Sequence, residues 1–222
     1  MSIAQNIRQL KSSLPDGVEL VAVSKFHPAE AIKEAYDAGQ RIFGESRAQE
    51  LKAKRQILPN DIEWHFIGPL QSNKVKDIAP FVHLIHSIDS LKLLEEVDRQ
   101  AKRHDRVIRV LLEVHVAQET SKHGLTLGEC EALLEDKAYR QLGNVRVCGL
   151  MAMATFTEDE EEIRREFRLV HDLFATLKRK YFQDDEDFKE ISMGMSHDYP
   201  IAIEEGSTMI RVGTHIFGER EY

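Results

Sequence analysis

The chain reads SMGMSHDYPIAIEEGSTMIRVGTHIFG over Ser192–Gly218, and this stretch indicates the architecture around it. A strand-like start at Ile191–Met195 runs into a short helical segment that ends at Gly206, and a second strand ends at Gly213. We expect the two strand ends to lie side by side, where small hydroxyl and glycine residues leave backbone N–H groups available at the start of a helix. Such groups suit a doubly charged phosphate. The stretch therefore predicts a phosphate site.

Upstream of this stretch, the same unit of a strand followed by a helix recurs along the chain. The first strand is the apolar, β-branched run Val18–Lys25, and the helix after it begins near Pro28. The longest predicted helix, Glu158–Tyr181, has apolar residues at spacings of three and four, and Thr157 with Glu160 fits a capping box. Further strands are predicted at 41–43, 63–67, 82–88, 107–116 and 145–153, with helices at 2–13, 47–57, 72–78, 91–103 and 127–134.

Eight strands separated by helices, with no hairpin signal, predict a closed (β/α)8 TIM barrel behind a leading N-terminal helix; an open doubly wound sheet is the alternative. The 222 residues, 42% of them hydrophobic, suit one domain over residues 1–222. A net charge of −8 argues against nucleic acid as a partner. No apolar run approaches the roughly 18 residues of a membrane span, and the start of the chain has no apolar signal segment. We therefore expect a cytoplasmic protein.

Lys25, at the end of the first predicted strand, is the main candidate for chemistry. Barrel closure makes strand eight the neighbour of strand one, which places Lys25 beside the predicted phosphate site. A lysine at an apolar strand end loses hydration, which lowers the pKa of its ammonium group and makes the neutral amine available to attack an aldehyde. A lysine beside a phosphate site suggests pyridoxal phosphate. The alternative is a lysine that only extends into solvent.

Arg211 comes two residues before Gly213 in a strand of period two, so it is predicted to face the barrel interior. A buried arginine needs a partner. That partner could be the pyridine nitrogen of the cofactor, or a barrel carboxylate such as Glu45 or Glu113.

Two methionines and three histidines on the predicted strands are also candidates. Met151 and Met153 could fill the barrel or cover one face of a cofactor ring. His65, His83 and His86 lie on strands three and four, but they lack carboxylate spacing and a matched fourth ligand. We therefore expect no metal site.

Short motifs occur along nearly the whole chain. They are FGE at 43–45, HFIG at 65–68, LQSNK at 70–74, GLM at 149–151, SMGMS at 192–196, GST at 206–208, RVGT at 211–214 and IFG at 216–218. Together they resemble the pyridoxal phosphate homeostasis protein family, whose members are similar to the N-terminal barrel of alanine racemase.

The resemblance implies a site for pyridoxal phosphate. Its predicted residues are Lys25, Ser46, Met153, Ser196, Arg211, Gly213 and Thr214. It implies a Schiff base at Lys25, the phosphate on Ser196 and the backbone at 213–214, and Arg211 at the pyridine nitrogen. Met153 stands where racemases carry a ring-stacking histidine, and Ser46 stands where the family usually has asparagine.

The same resemblance raises the question of whether the protein is an enzyme. Racemisation needs a second acid/base group on the ring face opposite the lysine, and racemases draw it from a separate β domain and a partner subunit. The sequence ends at Tyr222, so we expect no second domain to supply that group. We expect a monomeric, non-catalytic protein of vitamin B6 homeostasis that holds pyridoxal phosphate and delivers it to apoenzymes. A weak amino-acid enzyme such as a racemase is the alternative, and a barrel that binds a sugar phosphate without a Schiff base is the third interpretation.

Overall fold

The computed structural model describes residues 2–117 and 124–219, and its centre is a closed barrel of parallel strands. The strands are β1 (Glu19–Val23), β2 (Ile42–Glu45), β3 (Glu63–Phe66), β4 (Leu84–Ile88), β5 (Ile108–Val114), β6 (Val145–Ala152), β7 (Glu190–Ser192) and β8 (Met209–Val212). They follow chain order around the barrel, and β8 closes it by pairing with β1. The predicted (β/α)8 barrel is therefore confirmed, and the open doubly wound sheet is excluded.

Helices lie between the strands, and one precedes the barrel. They are α1 (Ile3–Ser13), α2 (Ala29–Asp37), α3 (Ala48–Ile57), α4 (Val75–Ile78), α5 (Leu91–Arg103), α6 (Leu127–Glu135), α7 (Glu160–Tyr181), α8 (Tyr199–Glu204) and α9 (Thr214–Phe217). Within the described ranges, no helix combines the length and the apolar run that crossing a bilayer requires.

The starts of α1 and α7 are capped in different ways. The leading helix α1 has a capping box, in which Ser2 Oγ accepts from the Gln5 N–H and the Gln5 side chain accepts from the Ser2 N–H. The capping box predicted for α7 is wrong. Asp159 caps that helix, and its carboxylate accepts from the N–H groups of Glu161 and Glu162. A charged carboxylate that binds two N–H groups at the positive end of a helix outcompetes a threonine hydroxyl.

The apolar core has two layers. A large layer lies between the sheet and the helices, and it includes the fully buried Trp64, Phe43 and Phe167. A smaller cluster of Val21, Leu84, Leu111, Cys148, Met151 and Met209 lies inside the barrel. Met151 is among the buried residues of this inner cluster, so it fills the barrel. Above the inner cluster, toward the carboxyl ends of the strands, the alternation of period two places polar side chains in the interior.

Gly149 allows β6 to approach β7 closely. It pairs with Glu190 and has a φ of 150°, and a Cβ atom at this position would lie 1.8 Å from the Glu190 carbonyl oxygen. Any side chain would push the two strands apart, so glycine is required for closure at this point.

Candidate functional site

A cavity of about 270 Å³ lies at the carboxyl ends of the strands, the end of a barrel where ligands bind. It brings together six of the seven predicted site residues: Lys25, Met153, Ser196, Arg211, Gly213 and Thr214. Ser46 follows β2 and is half-buried, but it does not line this cavity. Its backbone and Cβ pack against Gly68, where a side chain would collide with them. Residues far apart in sequence thus form one site because barrel closure joins β8 to β1.

Lys25 lies in a tight turn that begins immediately after β1. The strand ends at Val23, two residues earlier than the sequence indicated, and the His27 N–H donates to the Ser24 carbonyl at 3.1 Å. Phe26 has a φ of 68°, so the turn places its positive φ at the third position, as in a type II turn. Glycine usually occupies that position, and a bulky residue there is strained. The strain is held in place next to the candidate lysine.

A buried ionic network supports this turn from below. Lys54, on α3, is 7% exposed, and its Nζ donates to Glu45 Oε1 at 2.7 Å, to Glu50 Oε1 at 2.7 Å and to the Ser24 carbonyl at 2.8 Å. Ser24 Oγ donates to Glu45 Oε1 at 2.6 Å, and the Phe26 N–H donates to Glu50 Oε1 at 2.7 Å. The network therefore fixes the backbone on both sides of the candidate lysine.

Glu45 is fully buried, and burial raises the pKa of its carboxyl group, while the charge of Lys54 opposes this rise. Its partner is Lys54, so the interpretation of Glu45 as the partner of Arg211 is wrong. The sequence offered one signal for this network, the spacing of four residues between Glu50 and Lys54 on one helix. It could not indicate that the pair lies under the turn.

Arg211 faces the barrel interior, as the period of the strand predicted, and it is 4% exposed. Its Nη1 donates to the Ser192 carbonyl at 2.8 Å and to Ser192 Oγ at 2.7 Å, and its Nη2 donates to the Ala152 carbonyl at 3.0 Å. Burial lowers the pKa of Arg211 to about 10, while the charges of Asp198 and Glu113 oppose this change. The guanidinium therefore stays positively charged at neutral pH, held at the floor of the cavity.

Ser196 and Gly213 lie at the ends of two neighbouring strands. The loop that carries Ser196 is shaped by Asp198, whose carboxylate accepts from the Met195 N–H at 2.5 Å. A Cβ atom at Gly213 would lie 3.1 Å from the Val23 carbonyl oxygen, so glycine allows the end of β8 to pack closely against β1. Thr214 is the first residue of α9, where the N–H group has no partner within the helix. Hydroxyl and N–H donors thus meet at one wall of the cavity.

Met153 also lines the cavity, and 46% of its surface is exposed, in contrast to the buried Met151 two residues earlier. The sequence left open whether each methionine fills the barrel or contacts a ligand, and the structure separates the two. Met151 fills the barrel, and Met153 is available to contact a ligand.

A row of hydrogen bonds continues from the cavity floor into the barrel. His86 Nδ1 lies 3.0 Å from Ser192 Oγ, and His86 Nε2 lies 3.0 Å from His65 Nδ1. Burial keeps the pKa of both histidines well below the usual value, so both rings are neutral at neutral pH. The sequence analysis missed this row, although the alternation of side chains along a strand directs His65, His86 and Ser192 to the barrel interior.

Comparison with known proteins assigns the whole chain to one family. Residues 1–221 match the family model described as alanine racemase, N-terminal domain. A pyridoxal phosphate homeostasis protein of Aquifex aeolicus is 42% identical over 205 residues, which are 92% of this chain and 88% of that protein. A protein of the same name from Vibrio alginolyticus is 40% identical over 236 residues, covering 100% of this chain and 99% of its own.

A solved structure gives the same result. The structure of PipY from Synechococcus elongatus PCC7942 with PLP bound has a TM-score of 0.89 and 41% identity to this chain. The alignment covers 98% of this chain and 100% of that one. The likeness therefore extends over the complete barrel.

Proposed function

Because the chain belongs to the alanine racemase N-terminal domain family, and within it to the pyridoxal phosphate homeostasis proteins, we propose that it binds pyridoxal phosphate. One observation carries the proposal. A lysine, a buried arginine and a wall of hydroxyl and glycine residues line the same cavity of about 270 Å³. This donor set fits a small anionic aldehyde, and the PipY structure holds PLP on a barrel of the same shape.

The wall formed by Ser196, Gly213 and Thr214 would hold the phosphate. A phosphate has several acceptor oxygens and needs donors that no other group uses. The Ser196 hydroxyl and the N–H at the start of α9 meet this need, because the first N–H groups of a helix lack intrahelical partners. The positive charge of Arg211 on the same cavity adds to the attraction of an anion.

Lys25 is the residue that we propose to bond covalently to the cofactor. When bound, pyridoxal phosphate supplies an aldehyde that reacts reversibly with amines and a ring that withdraws electrons. The network under the turn fixes the backbone on both sides of Lys25, so the amine leaves the turn in a set direction. Such support from neighbouring groups is what positions a reacting side chain.

Arg211 and Met153 are the residues that we propose to contact the ring. Arg211 would direct an N–H group at the pyridine nitrogen while Ser192 and Ala152 hold its guanidinium in place. Met153 would cover one face of the ring. Ser46, outside the cavity lining, remains a predicted contact to the ring substituents.

We further propose that the protein stores and delivers the cofactor and does not turn over a substrate. Its relatives are named as homeostasis proteins, and a cofactor bonded to a lysine is recoverable by transfer to another amine. In this proposal the chain is a cytoplasmic monomer with one domain over residues 1–222, and its partners are apoenzymes that require pyridoxal phosphate. The net charge of −8 disfavours nucleic acid as a further partner.

The test is the visible spectrum of protein that has been mixed with pyridoxal phosphate and desalted. We expect wild type to retain a yellow chromophore, Lys25→Ala to lose it, and Lys33→Ala to retain it, since Lys33 is an exposed lysine that pairs with Asp37. Borohydride reduction followed by peptide mapping should place the adduct on Lys25. A colourless wild type would reject pyridoxal phosphate as the ligand and favour a sugar phosphate, and a yellow Lys25→Ala variant would reject Lys25.

An amino-acid enzyme such as a racemase is the second candidate function, and one observation favours it. His197 lines the same cavity as Lys25, and its Nε2 lies 3.2 Å from Asp198 Oδ2. Racemisation needs two acid/base groups, one on each face of the ring. Exchange of the α-proton of alanine in D₂O separates the candidates. Exchange that is faster than with free cofactor and is lost in His197→Ala supports the enzyme, whereas exchange at the rate of free cofactor supports the carrier.

A further inference from the structure

Three potential metal ligands lie at the amino end of the strands, opposite the cavity. Glu63 is the first residue of β3, His65 follows two residues later, and His83 immediately precedes β4. Each residue offers one ligand atom, and these atoms all lie within 4.8 Å of one another. The parallel register of β3 and β4, in which His65 pairs with Leu84, brings the three residues together.

His65 contributes a buried nitrogen without a partner. Its Nδ1 lies 3.0 Å from His86 Nε2, whereas its Nε2 has no hydrogen-bond partner among the described parts of the chain. The residue is 1% exposed, so bulk water does not supply the missing bond. A buried polar atom without a partner is unfavourable, and such atoms in native structures require an explanation.

The three residues lie among charged side chains of both signs. The carboxylates of Glu190 and Glu63 act together with burial to raise the pKa of Glu19. One guanidinium opposes them directly, because Arg109 lies 3.3 Å from Glu190 Oε1 and 3.3 Å from His83 Nε2. Lys189 and Arg106 also place positive charge near Glu19 and His83, so three carboxylates face three cations and the case for a metal ion rests on the ligand geometry.

The distance between two of the ligand atoms also fits a small dication. Glu63 Oε2 and His83 Nε2 are 3.3 Å apart. Two ligand atoms that each lie about 2.0 to 2.2 Å from a tetrahedral zinc ion are separated by about 3.4 Å. The side chains of Glu63 and His83 are 45% and 38% exposed, so an ion can enter from solvent.

We propose that Glu63, His65 and His83 bind a divalent transition-metal ion of the zinc class, with water in the fourth position. The ion bonds to His65 Nε2, His83 Nε2 and Glu63 Oε2, and Arg109 keeps only its ion pair with Glu190. His86 then fixes the orientation of the His65 ring through Nδ1, the role that a second hydrogen-bonded group plays in histidine metal sites. The proposal does not depend on pyridoxal phosphate, and it replaces the expectation of no metal site drawn from the sequence.

The test is a zinc titration of chelator-treated protein without pyridoxal phosphate, in competition with a chromogenic indicator. We expect one ion per chain. Glu63→Gln and His83→Ala should each weaken binding by about 100-fold or more, since loss of even an outer-shell group costs about 10- to 100-fold. Arg109→Met should strengthen binding because it removes the competing guanidinium. His104→Ala, at an exposed position after α5, should leave the affinity unchanged.

Cobalt(II) provides a second readout that a purely structural role of these residues would not produce. Tetrahedral coordination gives intense visible absorption bands, which should appear with wild type and disappear with Glu63→Gln. Far-ultraviolet circular dichroism establishes that each variant is folded. The proposal is overturned by an absence of saturable zinc binding in wild type, or by an unchanged affinity in folded Glu63→Gln and His83→Ala.

Discussion

The two ends of the barrel both carry charged side chains, but they bury these side chains to different extents. At the carboxyl end, Lys54 and Arg211 are buried, and their charges are satisfied by Glu45, by serine oxygens and by backbone carbonyls. At the amino end, Glu63 and Arg109 are partly exposed, and they pair with His83 and Glu190. The same eight strands supply both ends. The difference teaches that burial, more than the number of charges, decides what each charge contributes to stability.

The largest expected effect comes from the buried lysine under the turn. Lys54→Met leaves Glu45 buried without a cation, which should lower the free energy of unfolding by about 3 to 5 kcal/mol. Lys52→Met on the same helix is the matched control, because Lys52 pairs with Asp77 in an exposed ion pair. It should cost at most about 1 kcal/mol. Urea unfolding measures both, and equal losses would contradict the comparison.

The loss in Lys54→Met should depend on pH in a defined direction. Burial raises the pKa of Glu45 in the folded state, so the folded protein favours the protonated carboxyl group. The penalty is absent below the unfolded pKa of about 4.5 and grows as the pH rises through the folded pKa. The double variant Glu45→Gln/Lys54→Met should lose this dependence and recover stability at pH 7. A loss in the single variant that is the same at pH 4 and pH 7 would contradict the assignment.

We expect an intermediate loss of stability from substitution of a buried arginine at the carboxyl end of the barrel, compared with a partly exposed arginine at the amino end. Arg211→Met removes three hydrogen bonds from a charged, buried donor, which should cost about 3 kcal/mol. Arg109→Met removes a partly exposed ion pair with Glu190, which should cost about 1 kcal/mol or less. Thermal unfolding of the two variants compares the ends directly. A larger loss in Arg109→Met would reverse the ranking.

The smallest expected effect is a gain in stability from a substitution at the amino end of the barrel. Burial and the charges of Glu190 and Glu63 raise the pKa of Glu19, so its ionised form is disfavoured in the folded state. Glu19→Gln should therefore stabilise the metal-free protein at pH 7 by about 0.5 kcal/mol or less, after solvent screening. The gain should vanish below pH 4, where the wild-type carboxyl group is protonated in both states. Unfolding midpoints at the two pH values test this, and a destabilised variant at pH 7 would contradict it.

The order of strands and helices was predictable because each unit carries its own local signal. The run at 18–25 is apolar and β-branched, and α7 has an apolar stripe of period 3.6. The interior position of Arg211 followed from its spacing to Gly213. These features depend on neighbours in sequence, so a single chain is enough to reveal them.

The polar contacts inside and below the cavity were not predictable in the same way. Lys54 looks like an ordinary helical lysine until the packing of α3 places it under Ser24. Glu63 and His83 are twenty residues apart and meet only through the register of β3 and β4. The α7 capping residue was also missed, because Thr157 and Asp159 lie two residues apart and either side chain can cap a helix. Such choices are decided by tertiary geometry, which sequence spacing does not encode.

In the row of hydrogen bonds inside the barrel, every member donates in the same direction. His65 and His86 are neutral, so each ring carries one N–H and one lone pair. When Ser192 donates to His86, His86 donates to His65, and His65 presents an N–H toward the amino end. When His65 presents a lone pair there, both rings reverse tautomer, and His86 donates to Ser192 beneath Arg211. The row therefore has two tautomeric arrangements. A proton position fixed at one end of the barrel also fixes the hydrogen-bond direction at the other end.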